Sequence, residues 1–222
     1  MKLGLLGIVL LYFNYEIIGN YTSKNIDFED RNYSEEYLEY GLKKEVFKLA
    51  IAGFEKLKNE LQSDEIITII DFDYPSSKER IWVVDLNNQK ILYHTFVAHG
   101  KNSGANMANY FSNTPESYKS SLGFYVTGKT YQGKHGLSLL LDGLEEGIND
   151  QARKRAIVIH GADYVSKKFI EQNGRLGRSF GCPALPVDLS GDIINTIANG
   201  KGLFIYKSDN SYFNKSQVVF EK

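Results

Sequence analysis

The chain has 222 residues, 42% hydrophobic and 24% charged, which supplies one sizeable core, is short for two full domains, and excludes disorder as the main state. Its 26 basic and 27 acidic residues nearly cancel, and no stretch concentrates the basic ones, so nucleic acid is not an expected partner. The single cysteine excludes an internal disulfide, paired-cysteine zinc sites and dithiol redox motifs.

Lys2 precedes an apolar run from Leu3 to Phe13. The run is shorter than the roughly 20 residues of a spanning helix, and a charged start before such a run has the layout of an export signal. No Ala-x-Ala-like pair follows it, so residues 1–18 are read as a signal peptide or an uncleaved membrane anchor, and the chain as exported to the periplasm or cell envelope. A buried N-terminal strand or helix is the plainer alternative. Residues 19–31 are polar and read as a linker.

Between Asn32 and Leu61 the apolar positions Leu38, Leu42, Val46, Leu49, Gly53 and Leu57 recur at steps of three and four, which predicts one long helix or a helix pair over residues 32–62. Asn32 followed by Glu35 resembles a capping box. Beyond Ser63 the period shortens. Ile66–Ile70, Arg80–Leu86 and Lys90–Ala98 read as strands, the last two a hairpin around Asn87-Asn88-Gln89. Further strands are expected at Leu122–Thr127, Leu137–Leu141, Ala156–Ile159 and Leu203–Tyr206. Helices are expected at Tyr164–Gln172 and Leu189–Ala198, stopped by Asn173-Gly174 and Asn199-Gly200. Strands outnumber helices without a repeated strand-helix-strand alternation, which predicts a mainly β, β-rich α+β fold over residues 63–222.

Two segments carry chemistry. In Ala156-Ile157-Val158-Ile159-His160-Gly161-Ala162 a histidine ends an apolar strand. In Gly177-Arg178-Ser179-Phe180-Gly181-Cys182-Pro183 the only thiol sits in a turn-rich loop. A thiol becomes a nucleophile when an imidazole takes its proton, and one helix between His160 and Cys182 would fold the two together. The backbone N–H groups of Gly181 and Cys182 are then candidate donors to an oxyanion. Against this, free cysteine is among the most buried residue types, and a lone Cys with a distant His is more often core than catalyst. His99 also ends a strand before a loop, and His135 sits in a turn before a strand, so both are candidates to line the same cleft. A metal site made of His94, His99, His135 and His160 is not expected, because no pair has helical i, i+4 spacing or an adjacent carboxylate motif. His94 alternates with apolar neighbours and reads as structural.

Ile159-His160-Gly161, Ser179-Phe180-Gly181-Cys182 and, more weakly, Ser120-Ser121-Leu122-Gly123-Phe124-Tyr125 resemble, in that order, the base strand, the Ser/Thr-His-Gly-Cys nucleophile motif and the Thr-Pro-x-Gly-x-Phe/Tyr stretch of the peptidoglycan L,D-transpeptidases. The chain is most similar to their divergent murein L,D-transpeptidase catalytic domain group, over Asp64 to Tyr206. The resemblance implies an L,D-transpeptidase-like sheet or barrel and a catalytic set of Cys182, His160, Ser179 and Gly181. Arg178, Gly161, Phe180, His99 and His135 would contact substrate. It also implies peptidoglycan stem peptides as partners and no cofactor, since thiol and imidazole suffice for acyl transfer. The chain departs from the main pattern where Phe180 replaces a histidine and Ala184 an arginine; Arg178 and Arg175 are candidates to supply the missing positive charge. A transpeptidase is the first reading, an L,D-carboxypeptidase the second, and a non-catalytic wall-binding protein on the same fold the third.

Overall fold

A computed structural model describes residues 33–219; the expected signal or anchor, the linker and the Asn32 cap lie outside them. Two helices open the described chain, α1 (Glu35–Glu39) and α2 (Lys44–Lys56), followed by a short 3-10 turn at Lys58–Glu60. The single helical period of the sequence is thus a pair. It is broken where Gly41 takes a φ of +73°, a conformation that favours glycine. The break resets the helical phase, so Tyr37 is buried and Leu38, on the expected apolar face, is exposed. Ser34 is the N-cap of α1, and its hydroxyl donates to Gln89 O at 3.2 Å instead of capping the helix.

Eight strands follow: β1 (Ile66–Asp71), β2 (Ile81–Asp85), β3 (Lys90–Thr95), β4 (Gly123–Gly133), β5 (Gly136–Gly143), β6 (Val158–Gly161), β7 (Ala184–Leu185) and β8 (Gly202–Tyr206). They form one sheet in the order β3-β2-β1-β8-β4-β5-β6-β7. The β1–β8 and β6–β7 pairs are parallel and the rest antiparallel. The two edges are drawn together just past β3, where Ala98 N donates to Ala184 O at 2.8 Å. This contact curls the sheet into a near-barrel. It also explains why the strand expected to run on to Ala98 stops at Thr95: its last residues leave β2 to meet β7.

Three helices complete the fold: α3 (Lys167–Asn173), α4 (Val187–Ile197) and α5 (Asn210–Phe213). Ser166 caps α3 by accepting from Phe169 N, so the helix starts three residues after the expected Tyr164, and Gly174 at φ +70° stops it, as Asn173-Gly174 predicts. α4 buries Ile193, Ile194 and Ile197 and packs on β6, β5, β4 and β1. Helix α2 lies on β1 and β8 through a reciprocal fit. A Cβ on Gly53 would stand 2.0 Å from the Phe124 ring, and one on Gly202 would stand 2.4 Å from the Phe54 ring. Each glycine seats the aromatic ring of the facing element. α1 is tied to the other edge by Trp82 Nε1 donating to Tyr40 O (2.8 Å) and Ile91 N donating to the Glu36 carboxylate (2.9 Å). The helical segment and the sheet therefore share one core rather than meeting as separate domains.

Candidate active site

Strand β6 delivers His160. Ala156 enters it through a left-handed turn, φ +53°, and the period of two then points Val158 and His160 to one side of the sheet. The imidazole is 3% exposed, and its Nδ1 lies 2.9 Å from Gly161 O. A carbonyl oxygen only accepts, so Nδ1 carries the proton and Nε2 keeps its lone pair, the tautomer a general base requires. Burial, with His135 nearby, holds the imidazole below its ordinary range, so it is neutral at neutral pH. His135 stands at the two-residue turn between β4 and β5, where Gly133 pairs with Gly136. Its exposed ring stacks on that of His160, centroids 4.5 Å apart and 23° from parallel.

The Cys182 loop leads into β7, a two-residue strand absent from the sequence reading because it is too short to show a period. Its parallel pairing sets His160 beside Ala184, so Cys182 stands level with Val158, one side-chain repeat from His160. The half-buried sulfur accepts from Val158 N at 3.5 Å and faces Ala156 O at 3.7 Å. These backbone groups, not the imidazole, are its hydrogen-bond partners in this resting state. Burial raises the thiol above its usual range, while the Val158 N–H and the Arg155 guanidinium pull the other way. Burial thus favours the neutral thiol and the neutral imidazole alike.

The loop is pinned by serines. Ser179 Oγ donates to Cys182 O at 2.6 Å and accepts from Gly181 N at 3.0 Å. Ser120 Oγ donates to Gly181 O and accepts from Gly100 N, both at 3.0 Å. Ser120, in the weakest of the three sequence resemblances, is therefore a strap across the Cys182 loop. Gly181 has φ +128°, and a Cβ there would come within 2.9 Å of Lys119 O, so only glycine fits. Its N–H, expected to face an oxyanion, is spent on Ser179.

Two further expectations, for His99 and Gly161, are corrected. His99 lines no cleft: it is fully buried, with Nδ1 accepting from Arg80 (2.8 Å) and Nε2 facing Gly104 O (3.3 Å). Burial and the Arg80 charge depress it to about 3. Gly161 is also buried, packed so closely under α4 that a Cβ would meet Ser190 Oγ at 2.5 Å. Arg178 directs Nη1 to Lys101 O and Gly104 O, at 3.1 and 3.0 Å, and Arg175 bonds Leu176 O. Both guanidiniums thus spend donors on local carbonyls. Ala184 belongs to a small apolar cluster with Ala98, Ala162, Val165 and Leu176, which leaves no room for an arginine. Phe180, by contrast, is 65% exposed. His94 is structural, stacked on Trp82.

Arg155 has no part in the sequence reading, since no motif around Arg153-Lys154-Arg155 marks it. Its Nη1 donates to Ser112 O and Ser121 Oγ at 2.7 and 2.6 Å, and Nη2 to Ser117 Oγ and Lys119 O at 3.1 and 2.6 Å. It therefore holds the 112–121 loop while placing a positive charge near the sulfur. Alkylation of Cys182 by iodoacetamide is expected to rise with pH through and beyond the ordinary thiol range. Arg155→Met should move the midpoint up by roughly one pH unit. A rate plateau reaching down to neutral pH would instead reveal a preformed thiolate.

Among the described residues no three metal-ligating side chains converge, and no helix is long and apolar enough to cross a membrane. No curated protein sequence matches the chain. Among solved structures it is similar to an L,D-transpeptidase from Mycobacterium smegmatis (12% identity, TM-score 0.40, covering 64% of this chain and 59% of that one). It is also similar to the helical cell shape determining protein Pgp2 from Campylobacter jejuni (14%, 0.43, 68% and 49%) and to an L,D-transpeptidase from Xylanimonas cellulosilytica (14%, 0.38, 65% and 62%). The chain thus spans from about half to just over three fifths of these proteins. The sequence profile of the L,D-transpeptidase catalytic domain matches residues 38–206. That span takes in most of the helical pair as well as the sheet and both loops, and the chain belongs to the L,D-transpeptidase catalytic domain family.

Proposed function

We propose that this chain is a cysteine acyltransferase acting on peptidoglycan stem peptides. The observation that carries the reading is the pairing of β6 with β7. It sets an imidazole with a free Nε2 one side-chain repeat from a thiol whose loop is fastened on both sides. Rotation about the Cα–Cβ bond of Cys182 turns its sulfur from Ala156 O towards the substrate. The sulfur attacks the carbonyl of the L-centred third residue of a tetrapeptide stem, and His160 Nε2 takes the thiol proton. The tetrahedral intermediate collapses to a thioester, and the same nitrogen returns the proton to the departing amine of the terminal D-alanine. An amine from a second stem then resolves the thioester, giving a cross-link and regenerating the thiol. Water in its place gives an L,D-carboxypeptidase. Ser179 acts as a positioning residue that sets the angle of the Cys182 backbone, and the apolar run behind Lys2 exports the chain to the envelope where its substrate lies.

Disaccharide tetrapeptide incubated with the full chain and analysed by mass spectrometry is expected to yield a Cys182 acyl adduct. With a second stem present, a cross-linked dimer should follow. Trimmed tripeptide without dimer would assign the carboxypeptidase. Tight binding of the muropeptide with no adduct would leave a wall-binding protein and overturn the enzymatic reading.

A further inference from the structure

We propose that Lys101, held over the faces of Tyr118 and Phe180, recognises the free C-terminal carboxylate of the donor stem peptide; this rests on the stem-peptide reading above. Three features meet beside the nucleophile loop. The first is Phe180, 65% exposed two positions before Cys182, in a loop whose neighbouring Ser179 and Gly181 are buried. The second is Tyr118, whose ring lies 4.9 Å from that of Phe180 and whose backbone sits at φ +52°. A bulky side chain is rarely found there, and such strain persists only where the surroundings over-determine it. Here they do: Asn102 N donates to Tyr118 O at 3.1 Å, Asn102 Nδ2 to Ser117 O at 2.9 Å, and Arg155 grips the residues on either side.

The third feature is Lys101 itself. Its Nζ lies 4.3 Å from the Tyr118 centroid and 4.6 Å from that of Phe180. Its backbone is fastened to the nucleophile loop at both ends, since Lys101 N donates to Ser179 O at 2.8 Å and Lys101 O accepts from Arg178. Among the described residues no carboxylate pairs with it. An ammonium over two aromatic faces loses part of its water and keeps donors that the rings do not satisfy. A carboxylate would complete that shell. The end of a stem peptide is such a group, and it must lie close to the bond that Cys182 cleaves. Arg178, the cation that the sequence offers for this task, turns Nη1 to Lys101 O and Gly104 O, whereas the Lys101 ammonium is held over the two rings. Phe180 thus replaces the family's motif histidine with a ring that positions a charge instead of carrying one.

The test is binding to the full chain carrying Cys182→Ala, measured by calorimetry for a tetrapeptide stem with a free C-terminal carboxylate and for the same peptide as its C-terminal amide. The acid is expected to bind about 10-fold tighter than the amide, the scale of one hydrogen bond between charged groups. Adding Lys101→Gln should bring the ratio close to one, and Lys101→Arg should restore the preference. Equal binding of acid and amide, or a ratio unchanged by Lys101→Gln, overturns the role of Lys101 and leaves the stem-peptide reading standing. Binding of neither peptide overturns both.

Discussion

Cys182→Ala is expected to abolish the acyl adduct and all turnover of the tetrapeptide, while His160→Gln should keep the fold and lower kcat/KM by roughly 100- to 10,000-fold. The reasoning is chemical. Burial disfavours the thiolate at Cys182 and the imidazolium at His160. Neither form accumulates at rest, so in the proposed mechanism the attack depends on transfer to Nε2 as the carbon–sulfur bond forms. A glutamine in place of His160 can still donate to Gly161 O but offers no basic nitrogen. The two variants should therefore melt close to the unaltered chain while losing activity by different amounts. The pH profile adds an independent check. Because the imidazole is shifted down, the acid limb of kcat/KM should fall below the ordinary imidazole range and vanish in His160→Gln. Full turnover by Cys182→Ala would end the covalent mechanism. An unchanged acid limb in His160→Gln would move the base elsewhere.

Gly53→Leu is expected to be the most damaging substitution away from the site, lowering stability by about 3 kcal/mol and the melting temperature by roughly 6–12 °C. Gly53 sits inside α2 on the face that meets the sheet, and the Phe124 ring occupies the place of its missing side chain. That ring is stacked on Phe204 (4.2 Å) and edge-on to Phe54 (5.2 Å), so it has nowhere to retreat. Helix propensity runs the other way, since replacing a mid-helix glycine gains up to about 1 kcal/mol. Close packing wins because the overlap is with a ring locked on two sides. A thermal melt of the variant within 2–3 °C of the unaltered chain, the scale of about 1 kcal/mol in a chain of this size, would show that the sheet yields and that the fit is looser than the contacts indicate.

The Gly53 case shows why the fold was only partly legible in advance. A step of three and four placed Gly53 on an apolar face with Val46 and Leu49, and all three are buried. The same step placed Leu38 there too, yet it is exposed, because one left-handed residue at Gly41 restarts the phase of the helix. Strands β1, β2, β5 and β8 fall close to their expected places, since each is a run of β-branched or large apolar residues bounded by turn residues. β7 was missed because two residues have no period, and it is the strand that sets His160 beside the Cys182 loop.

The candidate site divides in the same way. His160 and Cys182 stand out locally, one closing an apolar strand and the other in a glycine-rich turn, and Ser179 and Phe180 follow from the motif around the thiol. In sequence His99 follows an apolar run much as His160 does, but the hydrogen bond from Arg80 and the packing of Phe72 seal it inside, and no local pattern separates the two. Arg155, Ser120, Tyr118 and Lys101 reach the loop from segments 27 to 81 residues away in the chain, so their roles arise only when the sheet closes. Residue type and period along the chain thus decide most strands and helices and single out His160 and Cys182 as the proposed reacting pair, because those depend on neighbours a few residues apart. Which histidine is free to take a proton, which cation stays unpaired and which glycine must have no side chain are decided by contacts across the closed sheet, because charge, burial and volume act through space.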